Sequence, residues 1–108
     1  MIKKTLTVTP RLGLHARPAG RLVGVAASFK SEVMVCKEGV EINGKSIMQM
    51  LTLGAECGAQ ITVRVSGPDE AEALAAIEML LAAYREFADE EAAESAFEER
   101  RRRKAERR

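Results

Sequence analysis

Ile2 to Val8 alternates in a period of two, with Ile2, Lys4, Leu6 and Val8 on one side and Thr between the last apolar positions, which predicts a half-buried strand ended by Pro10. The period then becomes helical. Ala19, Leu22, Val23 and Ala26 share one face of the segment 14–28, opposite Arg21, so an amphipathic helix is entered through Gly13 with its N-terminus near residues 15–18. The β-branched run 32–37, a turn at Glu38-Gly39 and a second run 40–42 predict a hairpin. Asn43-Gly44 breaks the pattern, Ser46 is placed to cap a short helix over 47–53, and Gly54 stops it. Ile61, Val63 and Val65 alternate as another strand. After Gly67-Pro68-Asp69, the acids Asp69, Glu70 and Glu72 favour the start of a long helix striped by Leu74, Ile77 and Leu81. The order β-α-β-β-α-β-α mixes hairpin and crossover connections, which suits an α+β two-layer fold with helices on one face of a mainly antiparallel sheet.

Beyond about Glu86 the apolar positions thin out to Phe87, Phe97 and scattered Ala. Residues 1–86 therefore read as one domain and 87–108 as a charged tail, either helical or disordered. The tail carries seven acids and seven bases but segregates them, with Arg100 to Lys104 as a basic run. Glu98 and Glu99 stand four before Arg102 and Arg103, so weak ion pairs can extend the last helix. The chain's net charge of +1 gives no long-range attraction for polyanions, and the basic run lacks interleaved aromatics, so nucleic acid is not expected as a partner. Neither a leader nor a run of roughly 20 apolar residues is found, which points to a cytoplasmic protein without membrane insertion. Cys36 and Cys57 form no C-x-x-C pair and have one histidine to join them, so neither a metal site nor a redox motif is indicated.

The chemistry concentrates in Gly13-Leu14-His15-Ala16-Arg17-Pro18-Ala19, which sets the chain's one histidine at the mouth of a helix beside an arginine. A neutral imidazole nitrogen is a nucleophile for phosphorus. The helix dipole and Arg17 favour the neutral ring and, once it forms, a phosphoryl dianion. First-turn N–H groups and Arg17 supply donors for its oxygens, while Pro18 removes a donor where an intrahelical bond is absent anyway.

This heptapeptide resembles the active-site segment of the HPr family, the histidine-containing phosphocarriers of the bacterial phosphotransferase system. Lys45-Ser46-Ile47-Met48 is similar to that family's regulatory-serine segment, Gly58-Ala59 with Ile61-Thr62-Val63 to its last strand, and Gly67-Pro68-Asp69-Glu70 to its final helix start. The likeness covers residues 1 to about 86. It implies an open-faced β-sandwich, a four-stranded sheet of order 1-4-2-3 under three helices. It also implies that His15 accepts a phosphoryl group on Nδ1 from phosphorylated Enzyme I, charged by phosphoenolpyruvate, and passes it to an Enzyme IIA protein or domain. By the same resemblance Arg17 steadies the phosphoryl group, Ser46 is a target of HPr kinase/phosphorylase, and Arg17, Gly20, Arg21, Ile47, Met48 and Leu51 contact partners. Such a protein is a monomeric carrier in sugar uptake or regulation, not an enzyme acting on a free substrate, and needs no cofactor.

Two positions depart from the pattern. Leu12 stands where many members have a small polar residue, and Gly20 loosens the first helix by up to about 1 kcal/mol relative to Ala. The rival readings are a docking module that uses the same surface without turning over phosphate, and a small polyanion-binding protein.

Overall fold

A computed structural model describes residues 1–107 of the chain. Strands β1 (Ile2–Thr7), β2 (Glu32–Lys37), β3 (Val40–Asn43) and β4 (Gln60–Ser66) form one antiparallel sheet in the order β1-β4-β2-β3. The period-two pattern sets the register. Leu6 lies opposite Ile61, and Val35 lies opposite both Val63 and Ile42, so one face collects the apolar residues. Lys4 belongs to that face too, at the sheet edge, where its ammonium reaches Glu78 at 2.8 Å. The opposite face pairs Thr5 with Thr62 and Lys3 with Arg64. Glu38 and Gly39 both have positive φ, the requirement of a tight turn whose twist matches the strands of the β2-β3 hairpin.

Helices α1 (Ala16–Ala27), α2 (Ile47–Leu53) and α3 (Glu70–Glu86) cover the apolar face. Ala19 and Leu22 of α1, Met50 of α2, and Ala73, Ile77 and Leu80 of α3 are buried with Val33, Val35, Ile61, Val63 and Val65 of the sheet. A core with so few aromatics is filled by branched aliphatics, Met and Ala. α3 starts where its acids place it, with Asp69 at the N-cap and Glu70 and Glu72 in the first turn, but the Asp69 side chain makes no cap bond. It accepts instead from the backbone N–H groups of Lys30 and Ser31, at 2.9 Å each, and from the Ser31 hydroxyl. These three donors hold the turn between α1 and β2 against α3 and keep the Asp69 carboxyl down at about 2.

The number of helices differs from expectation, with four in place of three. The chain does not continue α3 past Glu86. Phe87 is extended, Asp89 accepts from the N–H of Glu91 at 3.3 Å, and a fourth helix, α4 (Glu90–Glu106), runs back against α3. Asp89-Glu90-Glu91 is an N-terminal signature of cap plus acidic first turn, which hydropathy alone hides among the tail's charges. Ala93 and Phe97 are buried beneath α4, and Arg100 pairs with Glu86 at 2.6 Å. Among the described residues, no helix is long and apolar enough to cross a membrane.

Candidate functional site

His15 is placed by the loop before it. Val8 exchanges backbone hydrogen bonds with residues 58 and 59, and the Thr9 hydroxyl donates to the carbonyl of Leu81 at 2.6 Å. Gly13 then turns with φ +73°, where a Cβ would stand 2.5 Å from the carbonyl oxygen of Ala55. Only glycine meets both conditions. Leu14 is buried and donates to that same Ala55 carbonyl, which delivers His15 to the N-cap of α1. The His15 side chain makes no cap bond, and its carbonyl accepts from Ala19 at 2.9 Å, so the N–H groups of Ala16 and Arg17 face outward at the positive end of the helix.

The surroundings of the imidazole come from the other end of the chain. Nε2 of His15 lies 2.7 Å from the carboxylate of Glu90, in the first turn of α4. A carboxylate only accepts, so Nε2 donates its proton and in the neutral ring the lone pair stays on Nδ1. One turn along α4, Glu94 is only 5% exposed. It accepts from Nε and Nη2 of Arg17 at 3.1 and 2.9 Å, stands 3.4 Å from Nε of Arg21, and accepts from the Tyr84 hydroxyl at 2.6 Å. Burial pushes the Glu94 carboxyl up, but the bonds from Arg17 and Tyr84 and the charge of Arg21 outweigh it and hold it below the usual range. Burial and the same carboxylate push the Tyr84 phenol upward. Arg17 is thus beside His15 as expected, yet its guanidinium is committed to Glu94.

The other residues singled out by sequence lie apart from this cluster. Ser46 caps α2, its hydroxyl accepting from the N–H of Gln49 at 3.3 Å, while Gln49 reaches back to the N–H of Asn43. Met50 and Leu53 enter the core, which leaves Ile47, Met48 and Leu51 exposed at 39, 77 and 43%. Leu12 is 80% exposed. Gly20 is exposed, and a Cβ there would meet nothing within 4 Å. Within the basic run, Arg101 lies over the rings of Phe29 and Phe97 and donates to Ser28, and Arg103 pairs with Glu99. Much of that run is thereby engaged by its own chain. Both cysteines are free thiols, Cys57 exposed and Cys36 partly so.

Sequence reasoning missed Glu90, Glu94 and Tyr84 as members of the site. Glu90, Ala93, Glu94, Phe97 and Arg101 do recur at helical spacing, a stripe that identifies one packed face of α4. Which surface it covers is a long-range fact that spacing does not carry.

Comparison with protein families matches residues 2–83 to the phosphorylation-site model of the phosphotransferase-system HPr component. The chain is 44% identical over 80 residues to the phosphocarrier protein HPr of Treponema pallidum (strain Nichols), covering 74% of this chain and 91% of that one. Among solved structures it resembles HPr-C-His from Thermoanaerobacter tengcongensis, with a TM-score of 0.77 at 34% identity, covering 81% of this chain and 98% of that one. It also resembles the HPr of Bacillus anthracis str. Ames, with a TM-score of 0.70 at 36% identity, covering 77% and 94% respectively. The helix α4 lies beyond the matched family segment.

Proposed function

Because the chain belongs to the HPr family of phosphotransferase-system phosphocarriers, we propose that His15 is its phosphoryl acceptor and Arg17 the cation that steadies the transferred group. The observation that carries this reading is the placement of the chain's one histidine, half-exposed at the N-cap of α1, with Nε2 bonded to a carboxylate. That bond leaves Nδ1 as the nucleophile. Its lone pair forms the N–P bond as the bond from phosphorus to the donor breaks, and no proton has to leave the attacking nitrogen. The outward N–H groups of Ala16 and Arg17 then meet the phosphoryl oxygens, and the Arg17 guanidinium adds charge-assisted bonds once it turns from Glu94.

The donor in this reading is phosphorylated Enzyme I, charged by phosphoenolpyruvate, and the acceptor an Enzyme IIA protein or domain, all in the cytoplasm. Arg17, Gly20 and Arg21 with Ile47, Met48 and Leu51 form the docking surface. Exposed Met and Ile beside cations suit partners that bind one after another. Ser46, at the N-terminus of α2, is positioned for a second, regulatory phosphorylation by HPr kinase/phosphorylase. A phosphate there suits the helix dipole and acts on docking instead of on the fold.

The test incubates the purified protein with phosphoenolpyruvate, Mg²⁺ and catalytic Enzyme I from the same organism, with intact mass recorded before and after mild acid. One acid-labile phosphoryl group, missing in His15→Ala, is the expected result. No labelling would turn the protein into a docking or regulatory module that uses the same surface.

A further inference from the structure

The inference rests on His15 as phosphoryl acceptor and concerns how that acceptor is reached. Three contacts converge at the mouth of α1, all from α4. Glu90 stands at 2.7 Å from Nε2 of His15, Glu94 takes Arg17 through two nitrogens, and the same carboxylate faces Arg21. Arg17 and Arg21 therefore share a carboxylate of their own chain before any phosphoryl group arrives. We propose that α4 is an autoinhibitory latch, closed over His15 while the imidazole is unmodified and displaced when a phosphoryl group is transferred to it.

Charge supplies the switch. A phosphoryl group on Nδ1 sets a dianionic PO3 group at the mouth of α1 while the ring, which keeps its Nε2 proton, becomes an imidazolium, so the site gains about one net negative charge, one helical turn from Glu94. The phosphoryl oxygens compete with the Glu94 carboxylate for Arg17, and the group lacks its arginine counter-ion until Arg17 leaves Glu94. The transfer breaks the bond from phosphorus to its donor and makes the bond to Nδ1, without oxidation or proton loss. Its effect on the site is this redistribution of charge, with the new anion on the side of Arg17. Linkage then runs both ways: the closed helix disfavours the phosphorylated state, and phosphorylation disfavours the closed helix by the same free energy.

The packing of α4 fits a part that moves. Of its 17 residues only Ala93, Glu94 and Phe97 are buried, and the joint at Phe87, Ala88 and Asp89 is exposed. Its outer half is held by Arg101 over Phe29 and by Arg100 on Glu86, contacts with little apolar burial. Beneath it, Gly20, Gly24 and Val25 of α1 and Leu80 of α3 line a crevice closed by Phe97. Displacing α4 opens this crevice and releases Arg17 and Arg21, already half-exposed, from Glu94, whereas Met48 and its neighbours on α2 are open in either state. The latch thus governs one half of the docking surface.

The test uses full-length protein, wild type and Glu94→Gln, with Enzyme I and phosphoenolpyruvate, reading the initial rate of acid-labile labelling. The variant keeps the side chain's size, removes the charge that Arg17 and Arg21 face and leaves the Glu90 bond to Nε2 in place, and is expected to be labelled at least about fivefold faster. Equal or slower labelling overturns the latch while leaving the carrier reading in place; no labelling of either protein overturns both. Hydrogen exchange of the wild type before and after phosphorylation is the second readout. Amides of residues 91–106 are expected to exchange at least about tenfold faster in the phosphorylated protein, and unchanged protection there overturns the proposal.

Discussion

At the scale of single residues, the site depends on a glycine that never touches the imidazole. Gly13 combines a left-handed backbone with contact against the Ala55 carbonyl, so Gly13→Ala adds strain and a clash at one point. We expect a loss of about 2–3 kcal/mol, read as a lower urea midpoint with unchanged slope. Asp69 gives a second test. Its carboxyl is held at about 2, below the value for an unfolded chain, so its stabilisation is complete above about pH 4 and is lost as the pH falls towards 2. Asp69→Asn should flatten the acid limb of a stability curve between those limits; an unchanged limb would mean that the Lys30 and Ser31 bonds do not persist in solution. The places of Gly13 and His15 at the entry to α1 were legible because they lie in one short stretch of chain. Glu90 was not, because it meets His15 across 75 positions; Asp69 does mark the start of α3, but its second part, holding Lys30 and Ser31, was hidden because those donors lie 39 and 38 positions away.

Among the elements, α1 to α3 and the four strands follow from local period and punctuation, since each buries one face against a shared core. Ser46 illustrates how far that goes: a serine before an apolar run is read as a cap and is found as one. Ser46→Ala should cost about 1 kcal/mol by thermal unfolding, independently of any phosphorylation. Gly20 behaves in the opposite sense. With nothing within 4 Å of an added Cβ, Gly20→Ala should stabilise α1 by about 0.5–1 kcal/mol. If labelling by Enzyme I slows in that more stable variant, the glycine serves the approach of a partner. The sequence left 87–108 open between helix and disorder, and a separate helix packed back on α3 was not foreseen, because the outward face of α4 is mostly polar and charged and its buried face is narrow. Its capping residue, Asp89, was the sign that a new helix starts there.

On the scale of the molecule, the HPr fold and α4 are unequal partners. The fold has its own continuous core, and α4 adds Ala93 and Phe97 at its margin. Phe97→Ala should therefore leave the main unfolding transition nearly unchanged while exposing residues 87–106 to limited proteolysis. A large drop in the melting temperature would instead make α4 part of the cooperative unit. The strand order was available only through family likeness, because alternation assigns strands and their faces but not their neighbours.

That strand order also bears on how the chain is made. Strand β4, the last of the four in sequence, sits between β1 and β2, and before it exists the sheet consists of the β2-β3 hairpin and an unpaired β1. A nascent chain must therefore extend past Ser66 and clear the ribosome before its apolar face can close. With most pairings far apart in sequence, folding should take milliseconds or longer instead of microseconds. Ile2 and Leu6 therefore stay without their strand partners through more than half of synthesis, an interval in which exposed apolar surface favours association with other chains.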